Sequence, residues 1–390
     1  FRVVGVTGTN GKTTVSYMIA HALSVLGRKS ALMGTIGYGP LSRIEKGRTT
    51  TPDMVTLHSL FSSWRGEIDH VAMEVSSHAL EQDRVAGVQF DTAVFTNLSR
   101  DHLDYHPSLE AYAEAKFRLF ARPGLKHAVV NLDDSYGEKL IEALPASFDK
   151  HAYSTRVIQQ GSLNNVSVTY CESITVNDRV TDIKLQSPWG VATIRTALLG
   201  KFNVENVLAA FVTLCIDGFD AGQVASALSA FTGVPGRMET FVSENGPLLV
   251  VDYSHTPDAL EKALISLREY CRGQLYCVFG CGGDRDTGKR AQMGAVAEAH
   301  ADKIIVTNDN PRSEDPEKIA EDILAGIKDR SSVSVRLDRS DAITNTCLAA
   351  SQGDVILIAG KGHETTQEIG TTVYPFSDRE LARRLTEGDA

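Results

Sequence analysis

The residues best suited to chemistry lie near the start of the chain, in the run GTNGKTT at residues 8–14. Glycines in such a run let backbone N–H groups curl around phosphate oxygens, and a helix that begins there adds a favourable dipole. A lysine at this place can reach the β- and γ-phosphates, and a threonine hydroxyl can bind Mg²⁺. The run therefore predicts a nucleoside triphosphate site. Its residues are Gly8, Thr9, Asn10, Gly11, Lys12, Thr13 and Thr14.

A strand and a helix must position this loop. Residues 2–7 are typical of a buried strand, and residues 12–26 have apolar side chains near helical spacing, with Gly27 placed to end the helix. The strict Gly-x4-Gly-Lys-[Ser/Thr] spacing is not met, because Val6 stands at the first glycine position. A glycine-rich turn that binds nothing is the alternative. The motif alone leaves open a kinase, a motor, a switch or a ligase.

Short apolar runs alternate with helical patterns along most of the chain, which is typical of parallel sheets with crossover helices. We predict one such domain over residues 1–233, including a helix over 109–120 and a small strand-rich meander at about 150–200. A second α/β domain is predicted over 234–390, after a linker at 233–236. Its expected strands are 248–251, 275–279, 303–306, 333–337 and 355–359.

Composition excludes several function classes. The 390 residues are 42% hydrophobic and 23% charged, as in ordinary globular proteins, and the net charge of −10 disfavours a nucleic-acid partner. No run approaches the roughly 18 consecutive apolar residues of a membrane span. The six cysteines are scattered without a Cys-x-x-Cys pair, so we expect the reducing cytoplasm.

Eight motifs, in order along the chain, resemble those of the Mur ligases, which build the peptide stem of the bacterial cell wall. They are GTNGKTT (8–14), MEVSSH (73–78), TNLSRDHLDYH (96–106), LGKFNVEN (199–206), GVPGRME (233–239), VDYSHTPD (251–258), GCGGDRD (280–286) and GKGHE (360–364). Within the family they are most similar to the enzymes that add the third amino acid, the MurE type.

The resemblance implies an α/β fold, with a central P-loop ATPase-like domain on a mostly parallel sheet and a C-terminal, Rossmann-like, amino-acid-binding domain. It implies ATP-driven addition of meso-diaminopimelate to UDP-N-acetylmuramoyl-L-alanyl-D-glutamate through an acyl phosphate. Family members carry a small uridine-binding domain before the ATP loop, so we expect this chain to correspond to the central and C-terminal domains. The alternatives are a lysine-adding homologue, a folylpolyglutamate or cyanophycin synthetase, and a nucleotide-binding fragment that is inactive without its first domain.

Catalytic and Mg²⁺-binding roles follow from the same resemblance. Glu74 ends an apolar strand, where a bare carboxylate is costly unless it is paired or metal-bound, although a partly solvated glutamate is the alternative. His102 resembles a second metal ligand, although imidazole is softer than Mg²⁺ usually prefers. Lys116 looks like a plain helix lysine, but it matches a lysine that CO₂ converts to N6-carboxylysine. The expected catalytic residues are Lys12, Glu74, His102 and Lys116, and the expected metal ligands are Thr13, Glu74, His102 and carbamylated Lys116.

Further matches imply contacts to the nucleotide and the muramyl-peptide substrate. The nucleotide contacts are Asn203, Asn206, Arg237 and Asp252. A helix N-cap is the alternative for Asn203, and a linker turn for Arg237. The substrate contacts are Thr49, Thr50, Ser76, Gln82 and Arg84.

Specificity for the incoming amino acid is expected in Asp309, Asn310, Pro311 and Arg312, at the carboxyl edge of a strand. The distal carboxylate of diaminopimelate invites a bidentate guanidinium, and lysine-adding members usually lack arginine at this place. Arg312 therefore indicates diaminopimelate, with a solvated loop arginine as the alternative. The remaining matches are Arg285, Gly360 and Glu364, of which Glu364 suits the distal ammonium. We reject NAD, because Gly-x-Gly-x-x-Gly fails at Arg285, and we expect a cytoplasmic monomer.

Overall fold

The computed structural model describes residues 1–102, 105–158, 163–177, 180–243 and 246–387. The chain divides into two compact units, Phe1–Thr232 and Gly233–Ala390. Among the described helices, none has the length and apolar character that crossing a membrane requires.

A single large sheet forms the centre of the first unit. Its described strands are β1 (Arg2–Thr7), β2 (Ser30–Gly34), β3 (Gly37–Pro40), β4 (His70–Glu74), β5 (Thr92–Phe95), β6 (His127–Asn131), β7 (Asp149–Ser154), β8 (Val166–Asn177), β9 (Val180–Ser187) and β10 (Gly190–Thr196). Their spatial order is β10-β9-β8-β7-β6-β5-β1-β4-β2-β3. Within this order, the strands from β8 across to β2 pair in parallel. Strand β3 pairs antiparallel with β2 at one edge, and β9 and β10 continue the other edge in antiparallel pairs.

The helices of the first unit lie between its strands, except for the last two, which follow β10. They are α1 (Lys12–Val25), α2 (Met54–Ser63), α3 (Ser77–Glu81), α4 (Leu109–Phe117), α5 (Ser135–Ala143), α6 (Lys201–Ile216) and α7 (Ala221–Ser229), with 3₁₀ turns at Leu41–Arg43 and Arg118–Ala121. The apolar core includes Phe90, Phe95, Tyr112, Leu119 and Val130, all nearly inaccessible to solvent.

The second unit repeats the α/β principle on a smaller sheet. Its strands, among the residues described, are β11 (Glu239–Val242), β12 (Leu248–Asp252), β13 (Leu275–Phe279), β14 (Lys303–Val306), β15 (Val333–Val335), β16 (Val355–Ala359), β17 (Thr366–Ile369) and β18 (Thr372–Pro375). The sheet order is β11-β12-β16-β13-β14-β15, and β17 with β18 forms a separate hairpin. The helices are α8 (Pro257–Arg268), α9 (Gly288–His300), α10 (Pro316–Leu324), α11 (Arg339–Ala349) and α12 (Asp378–Glu387).

The predicted α/β fold class, with a mostly parallel central sheet and a second α/β unit, is confirmed. One local expectation was wrong, because the helix expected over 109–120 ends at Phe117 and tightens into a 3₁₀ turn. The small meander expected at about 150–200 is present as β8, β9 and β10, which are consecutive antiparallel neighbours. It continues the central sheet, because β8 pairs in parallel with β7.

Candidate active site

The GTNGKTT run joins the carboxyl end of β1 to the start of α1. Gly8 has φ +147° and Gly11 has φ +84°, backbone angles that L side chains rarely adopt. Gly11 is also the N-cap of α1, and it offers no side chain to the first turn. The helix start can therefore receive an anion. Thr14 lies half-buried in that first turn.

Residues that follow β5 hold the loop in shape. Thr96 Oγ1 donates to the Asn10 carbonyl at 2.6 Å, and Asn97 Oδ1 accepts from Asn10 N at 2.9 Å. Thr9 N donates to the Asn97 carbonyl at 2.8 Å. A Cβ on Gly8 would lie 1.9 Å from Thr96 Oγ1, so only glycine fits there.

Two lysines converge on this loop. Lys12 Nζ donates to the carbonyls of Gly8 at 2.9 Å and Thr9 at 2.7 Å. Lys116 Nζ donates to the same Gly8 carbonyl at 2.7 Å. The positive charge of Lys12 favours a phosphate at the loop.

Lys116 is not the solvated helix lysine that its local sequence suggests. Its side chain is buried and its ammonium lies 4.2 Å from the centre of the Tyr112 ring. Burial, followed by the nearby Lys12 charge, holds the Lys116 pKa well below its ordinary value. A lysine in this environment is readily neutral, and a neutral amine can react with CO₂.

Glu74 lies at the end of β4 and is only 1% exposed. Its Oε2 accepts from Thr13 Oγ1 at 2.9 Å, and its Oε1 accepts from Thr35 N at 2.7 Å. The alternative of a partly solvated glutamate is wrong, because the carboxylate is buried and hydrogen-bonded. A carboxylate has about four lone-pair sites, so the Glu74 and Thr13 oxygens retain capacity for a hard cation such as Mg²⁺.

His102 follows β5 in the left-handed conformation, with φ +54°. Its ring centre is 6.0 Å from that of Tyr112 and 4.9 Å from that of His78. Burial lowers the pKa of His102 to about 4, with the Asp101 charge opposing this shift and the Lys12 charge acting in the same direction as burial. The imidazole is therefore neutral at neutral pH, the form that binds metals.

The two predicted nucleotide contacts on α6 form one buried pair. Asn206 Nδ2 donates to Asn203 Oδ1 at 3.0 Å, and Asn203 Nδ2 donates to the Leu199 carbonyl at 2.8 Å. A Cβ on Gly11 would lie 2.5 Å from Asn206 Oδ1, so Asn206 lies directly against the phosphate loop. The N-cap alternative for Asn203 is wrong, since Gly200 is the N-cap of α6.

The predicted substrate contacts surround the end of β4. Thr50 Oγ1 lies 3.1 Å from Thr35 Oγ1, and Thr35 also donates hydrogen bonds to the Glu74 carboxylate. Ser76 caps α3 by accepting from Ala79 N at 3.2 Å.

The other three predicted contacts lie around the same segment. Arg84 Nε donates to Gln82 Oε1 at 2.8 Å, and Arg84 Nη1 donates to the Thr51 carbonyl at 3.3 Å. Thr49 Oγ1 donates to that carbonyl at 2.9 Å.

The sequence analysis did not predict two further residues of this region, Thr51 and Thr35. Thr51 is 1% exposed, donates to the Glu74 carbonyl at 2.8 Å and accepts from Ser76 N at 3.0 Å. Thr35 holds the Glu74 carboxylate. The Thr49-Thr50-Thr51 run signals the first of these, whereas no motif marks Thr35.

In the second unit, Arg237 precedes β11 and Asp252 is the last residue of β12. The Arg237 guanidinium stacks 4.3 Å from the centre of the Tyr253 ring, while its backbone N donates to Val234 O in a turn. The linker-turn alternative for Arg237 thus describes its backbone but not its side chain. Asp252 Oδ2 accepts from Met238 N at 2.7 Å at the end of β12.

The Asp309–Arg312 segment follows β14 and meets the loop after β16. A Cβ on Gly360 would lie 2.4 Å from Asp309 Oδ2, so glycine is required beside that carboxyl group. Burial raises the pKa of Asp309. Asn310 Nδ2 donates to Glu364 Oε2 at 3.0 Å, and Pro311 is buried.

Lys361, which sequence reasoning did not single out, links this segment. Its fully buried ammonium donates to Asn310 Oδ1 and to Glu364 Oε2, each at 2.9 Å. Hydrogen bonding and the Lys361 charge outweigh burial and lower the pKa of Glu364. The sequence signal was present, because Lys361 lies inside the GKGHE motif.

Arg312 is half-buried and ordered by its own unit. Its Nε donates to Glu368 Oε2 at 3.0 Å, and its Nη1 donates to the Gly283 carbonyl at 2.8 Å. The solvated-loop alternative for Arg312 is therefore wrong. Arg285, by contrast, is exposed and donates to the Asp284 carbonyl at 3.1 Å.

In the comparison with known proteins, each of the two units matches its own family model. The family model of the Mur ligase middle domain matches residues 6–214. The model described as Mur ligase, glutamate ligase domain, matches residues 236–362. Together with the phosphate loop, these matches define an ATP-dependent amide-forming ligase. The chain belongs to the Mur ligase family, which acts in peptidoglycan synthesis.

The names of individual relatives are more specific than the family description. The UDP-N-acetylmuramoyl-L-alanyl-D-glutamate–2,6-diaminopimelate ligase of Coxiella burnetii is 48% identical over 383 residues, covering 98% of this chain and 78% of the relative. That of Pseudomonas aeruginosa is 45% identical, covering 98% and 77%. A solved structure of an enzyme of this name has a TM-score of 0.70 at 40% identity, covering 100% of this chain and 79% of that one.

A more distant structure shares the fold alone. Folylpolyglutamate synthase of Mycobacterium tuberculosis complexed with ADP has a TM-score of 0.71 at 20% identity, covering 92% of this chain and 88% of that one.

Proposed function

We propose that this chain adds meso-diaminopimelate to UDP-N-acetylmuramoyl-L-alanyl-D-glutamate, with ATP converted to ADP and phosphate. The observation that carries the proposal is the phosphate loop held beside the buried Glu74, in a chain 48% identical to a ligase of that name. The muramyl dipeptide and diaminopimelate are the proposed substrates. The chain is proposed to act in the cytoplasm as a monomer.

Amide formation from a carboxylate needs an activated acyl group. The substrate carboxylate attacks the γ-phosphorus, ADP leaves, and an acyl phosphate forms. The amine of the amino acid then attacks the acyl carbon, and phosphate leaves. Such chemistry depends on positioning and charge stabilisation rather than on a protein nucleophile.

The loop residues supply that positioning. Backbone N–H groups from Gly8 to Thr14 are proposed to receive the phosphates, and Lys12 to move from its own loop carbonyls to phosphate oxygens. Asn206 is proposed to contact the nucleotide, which its position against Gly11 supports. Asn203, Arg237 and Asp252 are proposed as further nucleotide contacts.

Mg²⁺ fits the oxygen-rich group at Thr13 and Glu74, and when bound it neutralises the crowded phosphate charge. Thr13, Glu74, His102 and a carbamylated Lys116 are the proposed ligands. The low pKa of Lys116 supports its carbamylation, because only the neutral amine adds CO₂. The amine nitrogen adds to CO₂ and loses a proton, so an anionic carbamate replaces a neutral buried amine.

Amino-acid choice is proposed to rest on the segment after β14. Glu368 and the Gly283 carbonyl hold Arg312 in one orientation, which suits a planar carboxylate such as the distal one of diaminopimelate. Glu364 is suited to the distal ammonium, with Asp309, Asn310, Pro311, Arg285 and Gly360 as neighbouring contacts. Lysine has no distal carboxylate, so a lysine-adding activity is disfavoured.

The muramyl dipeptide is proposed to lie beside the end of β4. Thr49, Thr50 and Ser76 offer hydroxyl groups there, and Arg84, oriented by Gln82, offers a guanidinium for a carboxylate or phosphate.

Phosphate release tests the proposal directly. The purified chain is mixed with ATP, Mg²⁺ and UDP-N-acetylmuramoyl-L-alanyl-D-glutamate, and then with meso-diaminopimelate, lysine or no amino acid. We expect release only with diaminopimelate. Release with lysine instead would make the chain a lysine-adding ligase. ATP binding without release in any mixture would reduce the function of this chain to nucleotide binding.

A further inference from the structure

Two histidines and an aspartate lie together at the amino ends of β6 and β7. His127 begins β6, Asp149 begins β7, and the sheet register pairs these two residues. His151 follows Asp149 by two positions, which places both side chains on one face of the sheet. One ligand atom from each of the three lies within 4.8 Å of the others.

One carboxylate serves both imidazoles. His127 Nδ1 lies 2.6 Å from Asp149 Oδ2, and His151 Nε2 lies 3.1 Å from Asp149 Oδ1. The His151 side chain is 10% exposed, and within the described parts of the chain its Nδ1 makes no hydrogen bond. A buried polar atom rarely lacks a partner, so the ring is less fully paired than is usual for a buried histidine.

The surroundings fix the ring and leave an approach open. Trp189, in the turn between β9 and β10, stacks on His151 with ring centres 5.6 Å apart and planes 13° apart. The Asp149 side chain is 53% exposed, so water and an ion can reach it.

This group is separate from the phosphate loop. The loop lies at the carboxyl ends of the strands, and Asn131, at that end of β6, donates to the Thr96 carbonyl. His127 is four residues earlier on the same strand, which is about 13 Å at the rise of a β-strand.

We propose that His127, Asp149 and His151 bind one divalent transition-metal ion of the Zn²⁺ class. Two imidazole nitrogens and one carboxylate oxygen are a preferred zinc donor set, with water in the fourth position. Mg²⁺ prefers oxygen ligands and binds such a set poorly. The ion joins the amino ends of two neighbouring strands, and it therefore stabilises the first unit when bound.

Trp189 offers a local probe of the ion. Trp64→Phe leaves Trp189 as the single tryptophan, because the chain has two. Co²⁺, a paramagnetic stand-in for Zn²⁺, is titrated into this variant with millimolar Mg²⁺ present to occupy oxygen-rich sites. We expect saturable quenching at one equivalent, reversed by Zn²⁺.

Ligand variants decide the outcome. His151→Gln and Asp149→Asn, each added to the single-tryptophan chain, should weaken Co²⁺ binding at least 10-fold. His58→Gln, which changes an exposed histidine outside the group, should leave it unchanged. Quenching that is absent, or equally tight in the two ligand variants, overturns the proposal.

Thermal unfolding gives an independent readout and checks that the variants fold. Excess Zn²⁺ should raise the unfolding midpoint of the unaltered chain by about 5 °C. Asp149→Asn alters an exposed side chain, so its metal-free midpoint should match that of the unaltered chain while the Zn²⁺ shift is lost. A shift retained in Asp149→Asn contradicts the proposed site.

Discussion

The buried pair Arg339–Asp378 holds the second unit together beneath its candidate site. Both side chains are 0% exposed, and Arg339 Nε and Nη2 each donate to the Asp378 carboxylate at 2.8 Å. Arg339 also donates to the Asn308 carbonyl at 3.1 Å and to the Ala359 carbonyl at 3.0 Å. Each of these carbonyls immediately precedes a predicted amino-acid contact.

Asp378→Asn leaves the Arg339 guanidinium buried without its main counter-charge, and arginine cannot lose its proton to relieve the cost. Breaking a buried ion pair in this way costs about 3–5 kcal/mol. Asparagine still accepts a hydrogen bond, and Asp309 and Glu364 also act on the Arg339 charge. We therefore expect the lower end, about 3 kcal/mol, in the free energy of unfolding of the second unit.

Hydrogen exchange followed by mass spectrometry measures that free energy in peptides of residues 233–390, with urea unfolding as a second assay. The matched control is Glu380→Gln, which breaks an exposed ion pair with Arg383 on the same helix, α12. The control should cost at most about 0.5 kcal/mol. The double variant Arg339→Met with Asp378→Leu should recover most of the lost stability. A loss below about 1 kcal/mol for Asp378→Asn, or one equal to the control, refutes the reasoning.

Four further outcomes are expected. Gly8→Ala places a Cβ 1.9 Å from Thr96 Oγ1, so ATP affinity measured by calorimetry should fall at least about 10-fold; unchanged affinity contradicts the loop geometry. Bicarbonate-free buffer should lower the ligase activity and added bicarbonate restore it, while Lys116→Ala stays inactive in both; an activity indifferent to bicarbonate argues against the carbamate. Arg312→Ala should lower kcat/KM for diaminopimelate about 10- to 100-fold and leave ATP affinity nearly unchanged; equal losses in both remove the specificity role. The pKa of His102 is about 4 in the folded chain, so on acidification the unfolded chain binds a proton at His102 before the folded chain does, and the free energy of unfolding should fall as pH drops from 7 to 4. His102→Gln should make that fall smaller in urea titrations. The same pH dependence in both proteins would show that His102 does not cause the fall.

Local sequence was sufficient for the parts of the site that depend on neighbours along the chain. The phosphate loop needs glycines at fixed backbone angles between one strand and one helix, and all of these lie within residues 2–25. The strand that ends at Glu74 was likewise readable from its apolar run. The site roles assigned by family likeness stay predictions.

Tertiary contacts decided the rest. Nothing near Lys116 in sequence shows that its ammonium is buried against Gly8, 108 positions away. The pairing of Arg312 with Glu368 spans 56 positions, and Thr35 reaches Glu74 across 39. Such contacts depend on which strand ends the sheet brings together, and a single sequence does not specify that.

Strand β7 shows the same division most clearly. Its residues, DKHAYS, lack the apolar run that predicts a buried strand, yet five of the six are buried because β6 and β8 pair on both sides. The sequence by itself determined the α/β class, the phosphate loop and the resemblance to a family of ligases. Only the tertiary structure placed Asp149 and His151 beside His127, because residues far apart along the chain meet only once the sheet has formed.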